Sequence, residues 1–280
     1  MEHRTYRENG TDGGGFSSVP FISFEDVQVV RNGRPILAID RLDIAEGEHV
    51  AILGPNGSGK STFVKLVTRE VLPLYRVHPP VRLRGNARPT LSQVRNMLGV
   101  VSASMQNEIT AHIPVRDIVA GGMTSTLGLP PHVMPSVAAR ARDAAQEPLD
   151  LLGIGDLADR DAMTLSTGQA RRVLIARALV GDPAALALDE PCTGLDPEGM
   201  FYVRRSMREI ARHGKLVILV THYPEDVVPE IGRVLLMKDG RVFADGPKST
   251  LLTDGVVSSL FGIPVRITCT EGYYSLVSAY

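Results

Sequence analysis

Apolar residues fall in short, strand-sized runs along much of the chain. Ile22–Phe24, Val27–Val30, Ile36–Ile39 and Val50–Leu53 are β-prone, and Asn32-Gly33 and Glu46-Gly47 break the series. Asn32-Gly33 between two such runs predicts a hairpin. A glycine-rich turn follows Leu53, and Ser61–Leu72 has a helical pattern. Residues 73–97 mix Pro, Arg and Gly and read as loops and short strands at a surface. Gly99–Ser102 is another short strand. From Pro114 to Val180 the spacing turns helical, most clearly over Val137–Leu152 and Gly168–Val180, with Pro130, Pro131 and Pro135 as punctuation. This stretch predicts a helical insertion. Strand signals return at Ala184–Leu188, Leu216–Thr221 and Val234–Met237, with a helix-like Pro197–His213 between the first two. Strand–helix–strand alternation predicts an α/β fold whose parallel sheet carries helices on its faces. Residues 1–20 are polar and Gly-rich and read as a disordered tail.

Composition narrows the classes. The 280 residues carry 30 basic and 31 acidic side chains, a net charge of −1, which argues against a strongly basic nucleic-acid binder. Two cysteines, Cys192 and Cys269, make neither a disulfide framework nor a four-ligand zinc site, so a reducing compartment is expected. No apolar run approaches the ~20 residues of a spanning helix. The first residues lack the apolar core of a signal peptide. Twenty-five of the basic residues are Arg and five are Lys, so each lysine invites a reason.

One lysine lies in Gly54-Pro55-Asn56-Gly57-Ser58-Gly59-Lys60-Ser61-Thr62, which satisfies the phosphate-binding pattern G-x-x-x-x-G-K-[ST]. The glycines let backbone N–H groups curl toward an anion, and the helix that follows presents its positive end to it. Lys60 supplies a compact charge to the β- and γ-phosphates, and Ser61 a hydroxyl for Mg²⁺. The apolar run Ala184–Leu188 ends in Asp189-Glu190. Asp189 suits the Mg²⁺ site, and Glu190 can point toward an attacking water. Leu165-Ser166-Thr167-Gly168-Gln169 opens a helix with a capping box, and Ser166 and the Gly168 N–H could also form an anion site there. Arg171 and Arg172 on that helix read as a solvated face or local ion pairs. Cys192 reads as a small buried residue.

A P-loop, then L-S-x-G-Q, then an apolar strand ending in Asp-Glu, in that order, resembles the ATP-binding cassette (ABC) family over about residues 21–250. The resemblance implies a P-loop NTPase (RecA-like) core with a parallel sheet, an N-terminal antiparallel β subdomain and a helical insertion subdomain at about 107–180. Residues 251–280 form a C-terminal extension packed on the core. Gln106 falls at the family's Q-loop glutamine, which contacts Mg²⁺ and the attacking water. Asp196 falls at the D-loop. His222, 33 residues after Asp189, falls at the switch histidine that contacts the γ-phosphate. The family's signature faces the nucleotide of a second subunit. The resemblance therefore implies ATP and Mg²⁺ as cofactors, and a second copy of the chain or a paralogous subunit as partner. It also implies a separate integral-membrane permease, and no nucleic acid. The expected place is cytoplasmic, peripheral on the cytoplasmic face of the inner membrane.

The runs Asn107–Gly122 and Cys192–Asp196 resemble bacterial metal-chelate and molybdate-type importer ATPases. Leu260–Val265 resembles the ending of importer subunits that close with a short strand pair. The alternative is a soluble ABC ATPase without a permease, of the cluster-assembly type. A non-catalytic regulator would lack the base or the lysine, and both are present. The chain departs from the family at the aromatic residue that stacks on adenine. Val29–Gly33 holds none. Arg31 is the nearest counterpart, and its guanidinium plane can stack on a base. Tyr6, Phe16, Phe21 and Phe24 are the aromatic alternatives.

Overall fold

The computed structural model describes residues 19–278, with the side chain of residue 103 excepted. The tail reading, Tyr6 and Phe16 therefore lie outside the described residues, apart from residues 19 and 20.

Eleven strands and eight α-helices alternate among the described residues. The first half runs β1 (Ile22–Arg31), β2 (Arg34–Ile44), β3 (Val50–Leu53), α1 (Lys60–Val67), β4 (Val81–Leu83), α2 (Leu91–Met97) and β5 (Leu98–Ser102). The helical stretch holds α3 (Val115–Ala120), α4 (Pro135–Leu151) and α5 (Thr167–Leu179). Then come β6 (Ala185–Asp189), α6 (Pro197–Arg212), β7 (Leu216–Thr221), β8 (Arg233–Lys238) and β9 (Arg241–Pro247). The chain closes with α7 (Lys248–Leu251), α8 (Asp254–Phe261), β10 (Val265–Thr270) and β11 (Tyr273–Ser278).

Nine strands form one mixed sheet in the order β4-β1-β2-β9-β8-β3-β7-β6-β5. The five strands from β8 to β5 run parallel. β1 pairs antiparallel with β2 and β4, and β9 pairs antiparallel with β8. The antiparallel strands join the core sheet through a single bridge, Ala38 to Arg241. β3 and β7 are buried along their whole length, because both faces of a parallel sheet are covered. Their alternating side chains feed two cores. Val50, Ile52, Ile218 and Val220 face α1 and the antiparallel strands, while Ala51, Leu53, Val217 and Leu219 face the helices α3 to α6.

α1 ends earlier than its pattern suggests, because Arg69 takes a left-handed φ of 63° that stops the helix. α2 sits in the stretch read as surface loop, started by a reciprocal capping box between Thr90 and Gln93. Pro135 opens α4 instead of breaking it, as the first turn tolerates a missing N–H. The strand pair expected near the C-terminus is β10–β11, anchored by Val265 and Tyr274.

α5 is the central post. α3, α4, α6 and β5 all pack on it, so it has no solvent face over most of its length. Arg171 and Arg172 are accordingly buried, at 3% and 9% exposure, which corrects the solvated-face reading. The guanidinium of Arg172 lies 4.6 Å from the Tyr202 ring of α6. At the other end of α5 the backbone lies directly on glycines. A Cβ on Gly99 would fall 2.4 Å from the Ala178 carbonyl oxygen, and one on Gly122 would fall 2.2 Å from that of Arg177. Gly99→Ala should therefore lower stability by about 1–3 kcal/mol. That corresponds to roughly 2–4 °C in Tm per kcal/mol. An unchanged Tm in calorimetry would show that α5 slides without cost.

Candidate functional site

Three strand ends build the site. β3, β6 and β7 are adjacent and parallel, so their C-terminal ends deliver Gly54, Asp189-Glu190 and His222 to one crevice, where open α/β sheets bind ligands.

The loop from Gly54 to Gly59 depends on its glycines in two ways. Gly54 has no room for a side chain: a Cβ would lie 2.1 Å from the Met237 carbonyl oxygen. Gly59 caps α1 at φ 99°, a conformation open to glycine. The loop is braced from behind by the turn after β8, where the Gly240 N–H donates to the Ser58 carbonyl at 3.2 Å. Ser58 is buried, and its hydroxyl has no hydrogen-bond partner among the described residues. Asn56 and Gly57 are exposed at the mouth, and Pro55 is partly buried. Ser61 and Thr62 occupy the first turn of α1.

Lys60 is 4% exposed. Its ammonium donates to the carbonyls of Gly54 at 2.7 Å and Pro55 at 3.0 Å, and lies 3.0 Å from His222 Nδ1. Burial lowers its pKa to about 8, against the opposing pull of Glu190 and Asp189. His222 Nδ1 lies between the Lys60 ammonium at 3.0 Å and the Gly54 carbonyl oxygen at 2.9 Å, while Nε2 faces the Glu190 carboxylate, which can only accept from it. Lys60, His222 and Glu190 thus form a continuous relay across the crevice.

The Ser61 hydroxyl lies beside Asp189 and favours its charged form, and the buried Asp189 Oδ1 has no hydrogen-bond partner among the described residues. Burial and the neighbouring Glu190 push its pKa up. A buried carboxylate oxygen with a spare lone pair, next to a hydroxyl, is a donor set that fits a hard divalent cation such as Mg²⁺.

Glu190 adopts a left-handed φ of 53°, uncommon outside glycine. Its N–H donates to the Val220 carbonyl at 2.8 Å, and its own carbonyl accepts from the Thr193 N–H at 3.2 Å. Arg171 of α5 adds a third tie, with Nη1 at 3.5 Å from the same carbonyl and Nη2 at 3.3 Å from Gln106 Oε1. Gln106 sits on a short 3-10 turn after β5. The structure thus attaches Gln106 to α5, whereas Ser61 and Asp189 are neighbours at the loop.

The signature lies apart from this cluster. Ser166 caps α5, and its side chain and that of Gln169 bond only one another's backbone among the described residues. Gly168 touches Gly199 in the first turn of α6, where a Cβ on either residue would collide with the other's backbone or nearly so. Asp196 caps that turn through a 2.8 Å bond from the Gly199 N–H. The signature and the D-loop aspartate are therefore neighbours, joined by a glycine contact. A glycine inside a helical pattern was the available signal for Gly199.

Arg31 stands exposed at the tip of the β1–β2 hairpin, paired across the turn with Arg34. Phe21 and Phe24 are buried in the core, Phe24 against Phe63 at 4.9 Å, so neither is free to stack on a base. Cys192 is buried as expected, and burial raises its pKa. Among the described residues, no helix is long and apolar enough to cross a membrane.

A parallel sheet with a phosphate loop after its central strand defines a P-loop nucleoside triphosphatase. The chain belongs to the ABC transporter family, whose model matches residues 37–193. The ABC transporter ATP-binding protein YlmA of Bacillus subtilis is 30% identical over 252 residues, 88% of this chain and 92% of that protein. The cobalt import ATP-binding protein CbiO of Rhodobacter capsulatus is 35% identical over 222 residues, 78% of this chain and 76% of that one. The solved structure of cbiO1 from Clostridium perfringens, part of the transporter complex cbiONQ, matches with a TM-score of 0.71 at 27% identity. That match covers 86% of this chain and 93% of the other. The protein is an ABC transporter ATP-binding subunit and an ATP-hydrolysing enzyme.

Proposed function

We propose that the chain energises a bacterial uptake transporter by ATP-driven pairing of two nucleotide-binding subunits on a separate membrane permease. Its place is then the cytoplasmic face of the inner membrane. The support is the split of the site within one chain. Lys60, Asp189, Glu190 and His222 gather at the P-loop. Ser166 and Gln169 are turned onto each other. An anion site at the start of α5 is then available to a nucleotide carried by a second copy or a paralogous subunit. The similarity to CbiO, which is named for cobalt import, supports uptake. The ATPase domain is residues 21–250, with its helical part near 107–180 and the extension 251–280 packed on it.

In this reading the backbone of Gly54–Gly59 wraps the phosphates, and Lys60 leaves its two loop carbonyls for the β- and γ-phosphate oxygens. Ser61 and Asp189 would hold Mg²⁺. Gln106 would supply a further oxygen, since its amide oxygen keeps a second lone pair while Arg171 uses the first. The cation neutralises phosphate charge when bound. Glu190 takes the proton of the attacking water. His222 Nε2–H fixes the carboxylate and afterwards faces the γ-phosphate. Arg31 is the residue at hand for the adenine face. Asp196, beside Gly168 and Ser166, lies where the second subunit would meet the first.

Two-chain catalysis has a kinetic signature. ATPase activity per molecule should climb with protein concentration in the dilute range and level off once pairs form. Measurement of phosphate release across a dilution series checks this. A specific activity that stays flat down to the lowest concentration, from a chain that remains monomeric with ATP, overturns the two-chain site.

A further inference from the structure

We infer that Arg171 is a positioning residue for ATP hydrolysis, holding Gln106 and the backbone of Glu190 in register. The inference rests on the reading of Gln106 and Glu190 given above.

Arg171 is anomalous as a structural residue. The residue is 3% exposed and, as in Arg172, its Nε has no hydrogen-bond partner among the described residues. Among the described residues no carboxylate forms an ion pair with it. Its hydrogen-bond acceptors there are the Gln106 side chain and the Glu190 carbonyl. The neighbouring Arg172 finds the Tyr202 ring, and Arg177 spends Nε and Nη2 on the Thr126 carbonyl. A buried guanidinium without a counter-charge is costly, and an apolar residue of the same length would fill the space more cheaply. Fold stability alone gives no reason for the charge.

Both acceptors belong to the reaction. Glu190 holds a left-handed backbone, so the direction of its carboxylate depends on how its peptide groups are tied. The amide side is tied to β7 through Val220, and the carbonyl side to Thr193 and Arg171. Gln106 lies on a short turn, where Arg171 Nη2 anchors its side chain among the described residues. One planar cation therefore joins the strand-end glutamate to the glutamine across α5, and its fork geometry suits two acceptors at once. Arg171 comes five residues after Ser166, so the same helix that presents the signature carries this tie.

The test uses the full chain, with Arg171→Met and Arg171→Lys variants assayed for steady-state hydrolysis and thermal unfolding. Misplacement of catalytic groups by about 1 Å can cost roughly 10²-fold. Arg171→Met should lower kcat about 10–100-fold while the KM for ATP stays within about threefold and Tm is unchanged or higher. Arg171→Lys, reaching one acceptor instead of two, should recover part of kcat. In a Gln106→Ala background Arg171→Met should cost less than it does alone, because the part that acts through Gln106 is already lost while the tie to Glu190 remains. Wild-type kcat in Arg171→Met overturns the inference, as does a full, multiplicative loss on top of Gln106→Ala, or a lowered kcat that tracks a fall in Tm and is not improved by lysine. Glu190→Gln separates the two levels: if that variant is inactive and Arg171→Met is not, the positioning role fails and the assignment of Glu190 stands.

Discussion

Glu190→Gln is expected to stop ATP turnover while leaving ATP binding near the wild-type level. The substitution keeps size and shape but removes the proton acceptor. A positioned general base contributes about 10²–10⁴-fold to rate, so the loss should reach that range. The geometry explains why binding should survive. The Glu190 carboxylate faces His222 Nε2, and a glutamine amide oxygen can accept the same hydrogen bond. The ties on the Glu190 backbone come from Val220, Thr193 and Arg171 and are indifferent to the side chain. The substitution does not touch Lys60 or the loop carbonyls that hold it before nucleotide binds. Chains that bind ATP and cannot split it should then accumulate as paired subunits. Phosphate release, fluorescent-nucleotide titration and gel filtration with ATP measure the three quantities. Turnover at the wild-type rate would remove Glu190 from the role of base. Absence of a nucleotide-dependent pair, with binding intact, would count against the two-chain site instead.

How far this site could be read from the chain depends on the distance over which its parts are connected. The P-loop is contiguous and its residues are dictated by one anion, so nine consecutive positions carry the message. The strand before it and the Asp-Glu strand end are likewise local, and β3, β6 and β7 appear in the sequence as unbroken apolar runs because both their faces are covered. α2 was hidden because only Val94 among its seven residues is buried, so it carries no apolar stripe. β9 alternates partly buried and exposed positions without a fully buried residue, and its short polar turn from β8 blurs the boundary. Burial of Arg171 and Arg172 is not a property of their own helix. It follows from α3, α4, α6 and β5 surrounding α5, contacts that span a large part of the chain. Phe21 and Phe24 were open to either use in the sequence; the pairing of β1 with β2 and β4 places Phe24 in the core, and Phe21, just before β1, is buried beside it. The tie from Arg171 to Gln106 crosses 65 residues and had no local signal at all.

Lys60→Ala should cost both binding and hydrolysis. The scarcity of lysine in the chain gives the reason a first outline, and the structure fills it in. The Lys60 ammonium sits inside the loop, on two main-chain carbonyls and a histidine nitrogen, in a space sized for a compact head group. An arginine fork is wider and planar, so Lys60→Arg should not restore function although it keeps the charge. Hydrogen bonds to charged groups contribute about 1.5–3 kcal/mol each. Loss of contacts to two phosphates should weaken ATP binding about 10²–10⁴-fold. The loss in kcat comes on top, because Lys60 also packs against His222 Nδ1, and the other nitrogen of that ring faces Glu190. Fold stability should change little, since among the described residues Lys60 forms no ion pair with a carboxylate, and alanine leaves the glycine-shaped loop intact. Nucleotide titration alongside thermal unfolding distinguishes these outcomes. An alanine variant that binds ATP with wild-type affinity, or an arginine variant that hydrolyses it normally, would mean that the loop backbone alone recognises the phosphates and that the lysine is there for packing.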